Sequence, residues 1–399
     1  MRLYILFILL LTSFSVSAQR ICTGTVDISS QVATQQANAI LPGSTLSEQT
    51  IVIPVVIHVI YNNSYENISE EQIKSQLDAI NADFSRSNSD FSKVPSVFAK
   101  LSGNANIRFE LAKSDPNGRI TSGIIRKKSS RMMWSDDDKI KSAAFGGDEA
   151  WDATSYLNVW VCNTVPGLTG YATVPGSDPT KDGVVVRYDA FGTTGKVNVP
   201  YHKGRTLTHE VGHWLGLQHL WGNKQCGDDG IQDTPKQRGG NSGDPVFPKL
   251  TACNATPDGE MFMNFMDFTN DASMGMFTEG QKNVMRSQFG VNGKRNAFLN
   301  SKGLSTSWNN TQVSPEQIST PQVSIYPNPV VSGNISISLN GLDNSGKHFA
   351  IVAANGQIVK TGYFNQAKVE VNVSHFPAGI YQVRLTDVGS NLFAKFVKQ

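Results

Sequence analysis

The chain has 399 residues, 35 basic and 33 acidic, with a formal net charge of +2. That length exceeds a typical single domain and allows about two or three. A balance so close to neutrality gives no reason to expect nucleic acid or an anionic membrane surface as partner, and nothing in it singles out an oligomeric state.

Taken from the N-terminus, Arg2, the apolar run Leu3 to Leu11 and the small residues Val16-Ser17-Ala18 predict a signal peptide over residues 1–18. The run is too short for a transmembrane anchor, and no later segment is long and apolar enough to be one. The mature protein is therefore expected to be secreted, in a compartment that permits disulfides. Residues 19–50, rich in Gln, Ser, Thr and Ala, read as a pro-segment. Ile51 to Ile60 is β-branched and apolar enough for a buried central strand, with His58 inside it as a core residue rather than a ligand. Ser69-Glu70-Glu71-Gln72 has the form of a capping box, and Ile73, Leu77, Ile80 and Phe84 follow at helical spacing. Further strands are predicted at Ile107–Leu111, Tyr156–Cys162 and Gly183–Tyr188. Asp136-Asp137-Asp138 is placed at the start of a helix around Ile140, where carboxylates suit the helix dipole.

The chemistry lies in Thr208-His209-Glu210-Val211-Gly212-His213-Trp214-Leu215-Gly216-Leu217-Gln218-His219. On a helix, His209 and His213 project from one face and can bind one ion, with Glu210 beside them. Gly216 lets the backbone turn out of the helix so that His219 returns as a third ligand. Three protein ligands leave tetrahedral zinc one position for water, the mark of a catalytic rather than a structural site, and Glu210 is then the general base. The next loop, Cys226 to Pro235, is rich in hard oxygen donors. Asp229 and Asp233 are candidates for calcium there, the alternative being solvated turn residues. Of the four cysteines, Cys226 and Cys253 flank this loop and are expected to pair, Cys162 ends an apolar run and reads as a buried thiol, and Cys22 is left over. Met261 to Phe268 is apolar and sulfur-rich, and Gly275–Phe289 is expected to be a closing helix. Residues 301–322 read as a linker, and residues 323–399, with short alternating strands between Gly and Asn turns, as a small all-β sandwich.

Residues 51 to 290 resemble the metzincin metallopeptidases, and within them the pappalysins, through IPVVIHVIY, YLNVWVCN, GLTGYATVPG, GRTLTHEVGHWLGLQHLWG, DTPKQ, NFMDF and MFTEGQ. The resemblance implies an α/β (α+β) catalytic domain over residues 51–300, with a mixed twisted sheet and a zinc-bearing helix, acting on protein or peptide substrates. It implies zinc ligands at His209, His213 and His219, the base at Glu210, and a Met-turn at Met266. Many relatives carry Tyr two residues after that Met; here Phe268 has no hydroxyl to offer the developing oxyanion. Asp271 falls where some members place the acid of the pocket for the residue after the scissile bond, which implies a preference for Arg or Lys there. The family's usual cysteines match Cys226 and Cys253. Cys22 resembles a pro-segment cysteine whose thiolate holds the open zinc position, which implies a latent precursor. The C-terminal segment resembles the sorting domain of the type IX secretion system through Tyr326-Pro327-Asn328-Pro329, Pro377-Ala378-Gly379-Ile380-Tyr381 and Lys395-Phe396-Val397-Lys398, so the secretion machinery is an expected partner. A competing reading, motivated by Phe268 and by surface delivery, is a zinc-stabilised binding or adhesion module whose catalysis has decayed; the intact Glu210 argues against it.

Overall fold

The computed structural model describes residues 21–22, 49–254, 256–306, 322–331, 333–340, 347–364, 368–385 and 393–399. The expected signal peptide, most of the pro-segment and most of the linker lie outside them. By its contacts the chain divides into Met1–Asn310 and Thr311–Gln399.

The first unit is organised by one long strand. Eleven residues, Ile51–Tyr61 (β2), are almost wholly buried, so Val and Ile face apolar neighbours on both sides of the sheet. A strand buried on both faces reads as a continuous apolar run, which is how Ile51 to Ile60 reads. Its length lets one edge hold two partners: Ile107–Leu111 (β3) pairs with its first half and Ile124–Lys128 (β4) with its second, both parallel. On the other side come Leu157–Cys162 (β5) and Val184–Arg187 (β7), also parallel, then Leu168–Ala172 (β6), antiparallel to β7. A short strand at Ile21–Cys22 (β1) pairs with β6 in parallel, completing a mixed seven-stranded sheet. The sequence pattern misses β4 because only half of its surface is covered.

Helix Glu70–Phe84 (α1) follows β2 and buries Ile73, Ile80 and Phe84. Its capping box is only half formed. The Ser69 hydroxyl accepts from the Gln72 amide, but the Gln72 side chain donates to the carbonyls of Tyr188 and Phe191 and accepts from the Lys196 amide, tying a loop to the helix. The acidic triplet opens a helical turn around Ile140, but only a short one, with Asp137 accepting from the Lys139 amide at 3.2 Å. Lys139–Lys141 makes a single 3-10 turn, with Asp137 and Asp138 paired to Lys139 and Lys141. The closing helix is shorter than the expected span. It runs Glu279–Ser287 (α3), because Thr278 and Gln281 form a complete capping box there, and Met276 instead bridges to Asn264.

Helix Arg205–Trp214 (α2) is buried along its whole length and packs against β6, β7 and α1. Arg205 places a cation in its first turn, where the helix dipole disfavours one. Asp83 and Asp90 answer it: Arg205 Nε lies 3.1 Å from Asp83 and Nη2 lies 3.2 Å from Asp90, which also pairs with Lys93 and Lys203. Burial alone would push the Asp90 carboxyl up, but its bonds to Lys93 and Lys203 and the charge of Arg205 hold it below its ordinary value. A depressed carboxyl stabilises the fold above its unfolded pKa and loses that contribution as pH falls through the folded value. Asp90→Asn is expected to destabilise the zinc-free protein by about 1.5–3 kcal/mol at pH 7, and by progressively less as pH falls through the depressed folded value of the carboxyl, as read by urea melts along an acid series.

The second unit is all-β. Gln322–Tyr326 (β8), Asn334–Asn340 (β9) and Lys368–Asn372 (β12) form a three-stranded sheet. His348–Ala353 (β10), Ile358–Tyr363 (β11), Gly379–Leu385 (β13) and Phe393–Lys398 (β14) form a four-stranded one. Ile335, Ile337 and Val371 from the first sheet meet Phe349, Ile351, Val383 and Phe396 from the second in one apolar core. No helix among the described residues is long and apolar enough to cross a membrane.

Candidate metal centre

His209 and His213, one helical turn apart on α2, bring their Nε2 atoms to 3.1 Å; Gly216, at φ 92°, reverses the chain, and His219 Nε2 arrives 3.0 Å from His213 Nε2. All three side chains are buried. These nitrogen pairs are not hydrogen bonds. His209 Nδ1 donates to the Phe265 carbonyl at 2.7 Å and His213 Nδ1 to the Leu217 carbonyl at 2.8 Å, so the proton of each neutral ring is on Nδ1 and Nε2 carries a lone pair. Burial holds His213 down to about 4 and His219 well below its ordinary value, so both are neutral near pH 7. Lone pairs converging at this distance repel unless a cation lies between them. Nitrogens about 2.0–2.1 Å from a tetrahedral zinc sit about 3.3–3.4 Å apart, close to the spacing found. The donor set therefore fits zinc. Among the described residues this is the one group of three or more metal-binding side chains that converge.

Glu210 is buried beside the histidines and faces β6. A Cβ on Gly170 would lie 3.1 Å from Glu210 Oε1, so the glycine makes room for the carboxylate against the strand. Met266 lies under the helix. A Cβ on Gly212, between the two helical histidines, would meet the Met266 sulfur at 2.4 Å, so Gly212 is what lets the thioether pack there. The turn carrying Met266 is fixed at both ends. Asn264 and Gln281 exchange amide hydrogen bonds at 2.8 and 3.1 Å, and the Asp267 carboxylate accepts from the amides of Phe268 and Asn241 and the side chains of Gln237 and Asn241.

Phe268 touches the rings of His209, His219 and Trp221. Asp271 is fully buried, and its Oδ2 accepts from the backbone amides of Lys203 at 2.8 Å and Arg205 at 3.3 Å, capping a helix whose own N-cap, Gly204, has no side chain. Cys226 and Cys253 form the expected disulfide, and Cys162 is a buried thiol. The two calcium candidates have separate hydrogen-bond partners. Asp233 caps α3, accepting from Thr278 Oγ1 at 2.7 Å and the Gly280 amide at 2.8 Å. Asp229 is buried, with Oδ1 bonded to Thr234 and the Ile231 amide and Oδ2 without a partner among the described residues. For Cys22 only the backbone is described, and it is in register with Gly170. Residue patterning missed Trp221 against His219, Gly170 against Glu210, and the Asp83–Arg205–Asp90 cluster at the start of the helix that bears His209 and His213.

Comparison with known proteins agrees with this geometry. The family model described as pregnancy-associated plasma protein-A, peptidase family M43, matches residues 141–290, and that of a secretion-system C-terminal sorting domain matches residues 324–399. Mature mirolysin from Tannerella forsythia, solved with a cleaved peptide, is 50% identical with a TM-score of 0.62, over 64% of this chain and 96% of that one. A promirolysin mutant from the same organism is 45% identical with a TM-score of 0.65, over 70% and 97%. An extracellular metalloprotease from Verticillium alfalfae is 32% identical over 254 residues, 60% of this chain and 78% of that protein. The sorting domain and the extracellular relatives make this a secreted protein, and the likeness to promirolysin makes it homologous to a zymogen. The chain belongs to the pappalysin family and is a zinc metalloendopeptidase.

Proposed function

We propose that the enzyme hydrolyses peptide bonds on the N-terminal side of Arg or Lys, and that Cys22 keeps its precursor latent. His209, His213 and His219 would hold zinc, which when bound would supply a Lewis acid able to acidify water and polarise a carbonyl. Glu210 takes the proton from the attacking water and passes it to the leaving amine, so the carboxylate ends each cycle as it began. With β1 removed, the outer edge of β6 would offer main-chain donors and acceptors to which an extended substrate can add as a strand. The observation that carries the reading is the convergence of the three buried imidazoles beside Glu210.

The preference for a basic residue rests on Asp271, a fully buried carboxylate at the N-terminus of α2. A carboxylate there pairs with guanidinium or ammonium through charge-assisted bonds. A peptide library profiled on the processed enzyme is expected to show cleavage before Arg and Lys. Asp271→Asn should lower kcat/KM for those substrates by about ten- to a hundredfold, equivalent to about 1.5–3 kcal/mol. Cleavage before apolar residues alone would remove this role from Asp271, and zinc retention with no cleavage of any library member would favour the surface-binding module.

Latency is supported by β1. It brings the backbone of Cys22 beside Gly170, the residue whose missing Cβ faces Glu210, and it runs parallel to β6. A thiol delivered from that position would hold the metal's fourth place and exclude water until the segment is cut. Cys22→Ala is expected to speed autoprocessing severalfold in a gel-based time course, and an unchanged rate would remove the switch.

A further inference from the structure

We propose that Trp221, together with Phe268, is the positioning device for His219, holding its ring by aromatic contact where His209 and His213 are held by hydrogen bonds. This rests on His219 being the third metal-binding residue. The three histidines are not supported alike. Two sit on a helix, and each donates Nδ1–H to a backbone carbonyl, at 2.7 and 2.8 Å. Such a bond fixes the tautomer and plane of a metal-binding imidazole, and nearly every one has it. His219 lies beyond Gly216 on irregular backbone, and among the described residues no hydrogen-bond acceptor is found for its Nδ1. Its ring instead lies flat on the Trp221 indole, with centroids 4.6 Å apart and planes within 9°.

Phe268 closes the arrangement from the side. Its ring meets His219 edge to face at 4.7 Å and Trp221 edge to face at 5.0 Å. Parallel-offset and edge-to-face contacts are the favoured geometries of ring pairs. The stack resists tilting of the imidazole plane, and the perpendicular ring resists rotation within it, so Nε2 stays directed at His213. Gly240 seats a loop on this cluster: a Cβ there would lie 2.8 Å from Phe268 and 3.0 Å from Trp221. Phe268 thus has a task that needs a ring and no hydroxyl.

The test uses the full secreted chain, with zinc affinity measured by competition against a chromophoric chelator and site geometry by the visible spectrum of the cobalt-loaded protein. Trp221→Leu is expected to weaken zinc by about ten- to a hundredfold and to alter the cobalt bands, and Trp221→Phe, which keeps a flat face, to recover most of both. Phe268→Leu, the second variant should Trp221→Leu not fold, is expected to act in the same direction. Native affinity and an unchanged spectrum in Trp221→Leu would overturn the proposal, as would a Trp221→Phe protein no better than Trp221→Leu. His219→Ala separates the two levels. If it leaves zinc affinity unchanged, the ligand assignment fails; if it weakens zinc and the folded aromatic variants do not, the positioning role alone fails.

Discussion

Glu210→Ala is expected to lower kcat/KM on Arg- and Lys-containing peptides by about 10²- to 10⁴-fold while the protein keeps its zinc. The size follows from what a positioned acid–base group contributes, which corresponds to about 2.7–5.4 kcal/mol of barrier. Metal retention follows from the geometry, because the converging nitrogens belong to His209, His213 and His219, and the bonds to Phe265 and Leu217 that orient two of them do not involve Glu210. The measurements are steady-state kinetics on the processed enzyme and zinc content by atomic absorption. A strong chelator should abolish activity in the native protein, and added zinc should restore it. Activity within a few-fold of native in Glu210→Ala would assign the base to another group. Loss of zinc would mean that the carboxylate holds the metal site together.

The second large effect is a gain. Phe268→Tyr is expected to raise kcat by up to about a hundredfold with little change in KM, the value of one donor aimed at a developing oxyanion. The tyrosine ring keeps the edge contacts with His219 and Trp221, so zinc affinity should stay native, whereas Phe268→Leu loses those contacts and gains no donor. Comparing kcat, KM and zinc affinity for the pair separates the hydroxyl's contribution from the ring's. An unchanged kcat in the tyrosine variant would show that another group already meets the oxyanion.

Where one local pattern decides the outcome, the sequence was legible. The spacing of His209, His213, Gly216 and His219 requires only a helix and a reversal, and the structure contains both. The apolar runs that became β2, β5 and β7 are buried on most of their length, and β3 buries the alternate residues Ile107 and Phe109, so their pattern carries their position. Patterning failed where tertiary partners outbid local ones. Gln72 left its capping box for Tyr188 and Phe191, more than a hundred residues away. Asp137 and Asp138 pair with nearby lysines, and Asp137 also accepts from the Lys139 amide, at the start of a 3-10 turn too short to read from the pattern. Asp233 and Asp271 are each bonded to an amide at the start of a helix, partners that composition does not show.

Asp271 links two properties that protein engineers usually treat as separate. One carboxylate terminates the helix bearing His209 and His213 and is also the group proposed to read the substrate. Changing it to admit an apolar residue would remove the cap from a helix that starts with glycine, a loss of about 1 kcal/mol or more. Retargeting this protease through that position would therefore trade thermal tolerance for altered selectivity, and Gly204 could not supply a replacement cap, because its φ is 76° and a Cβ there would lie 2.8 Å from the Gln76 side chain.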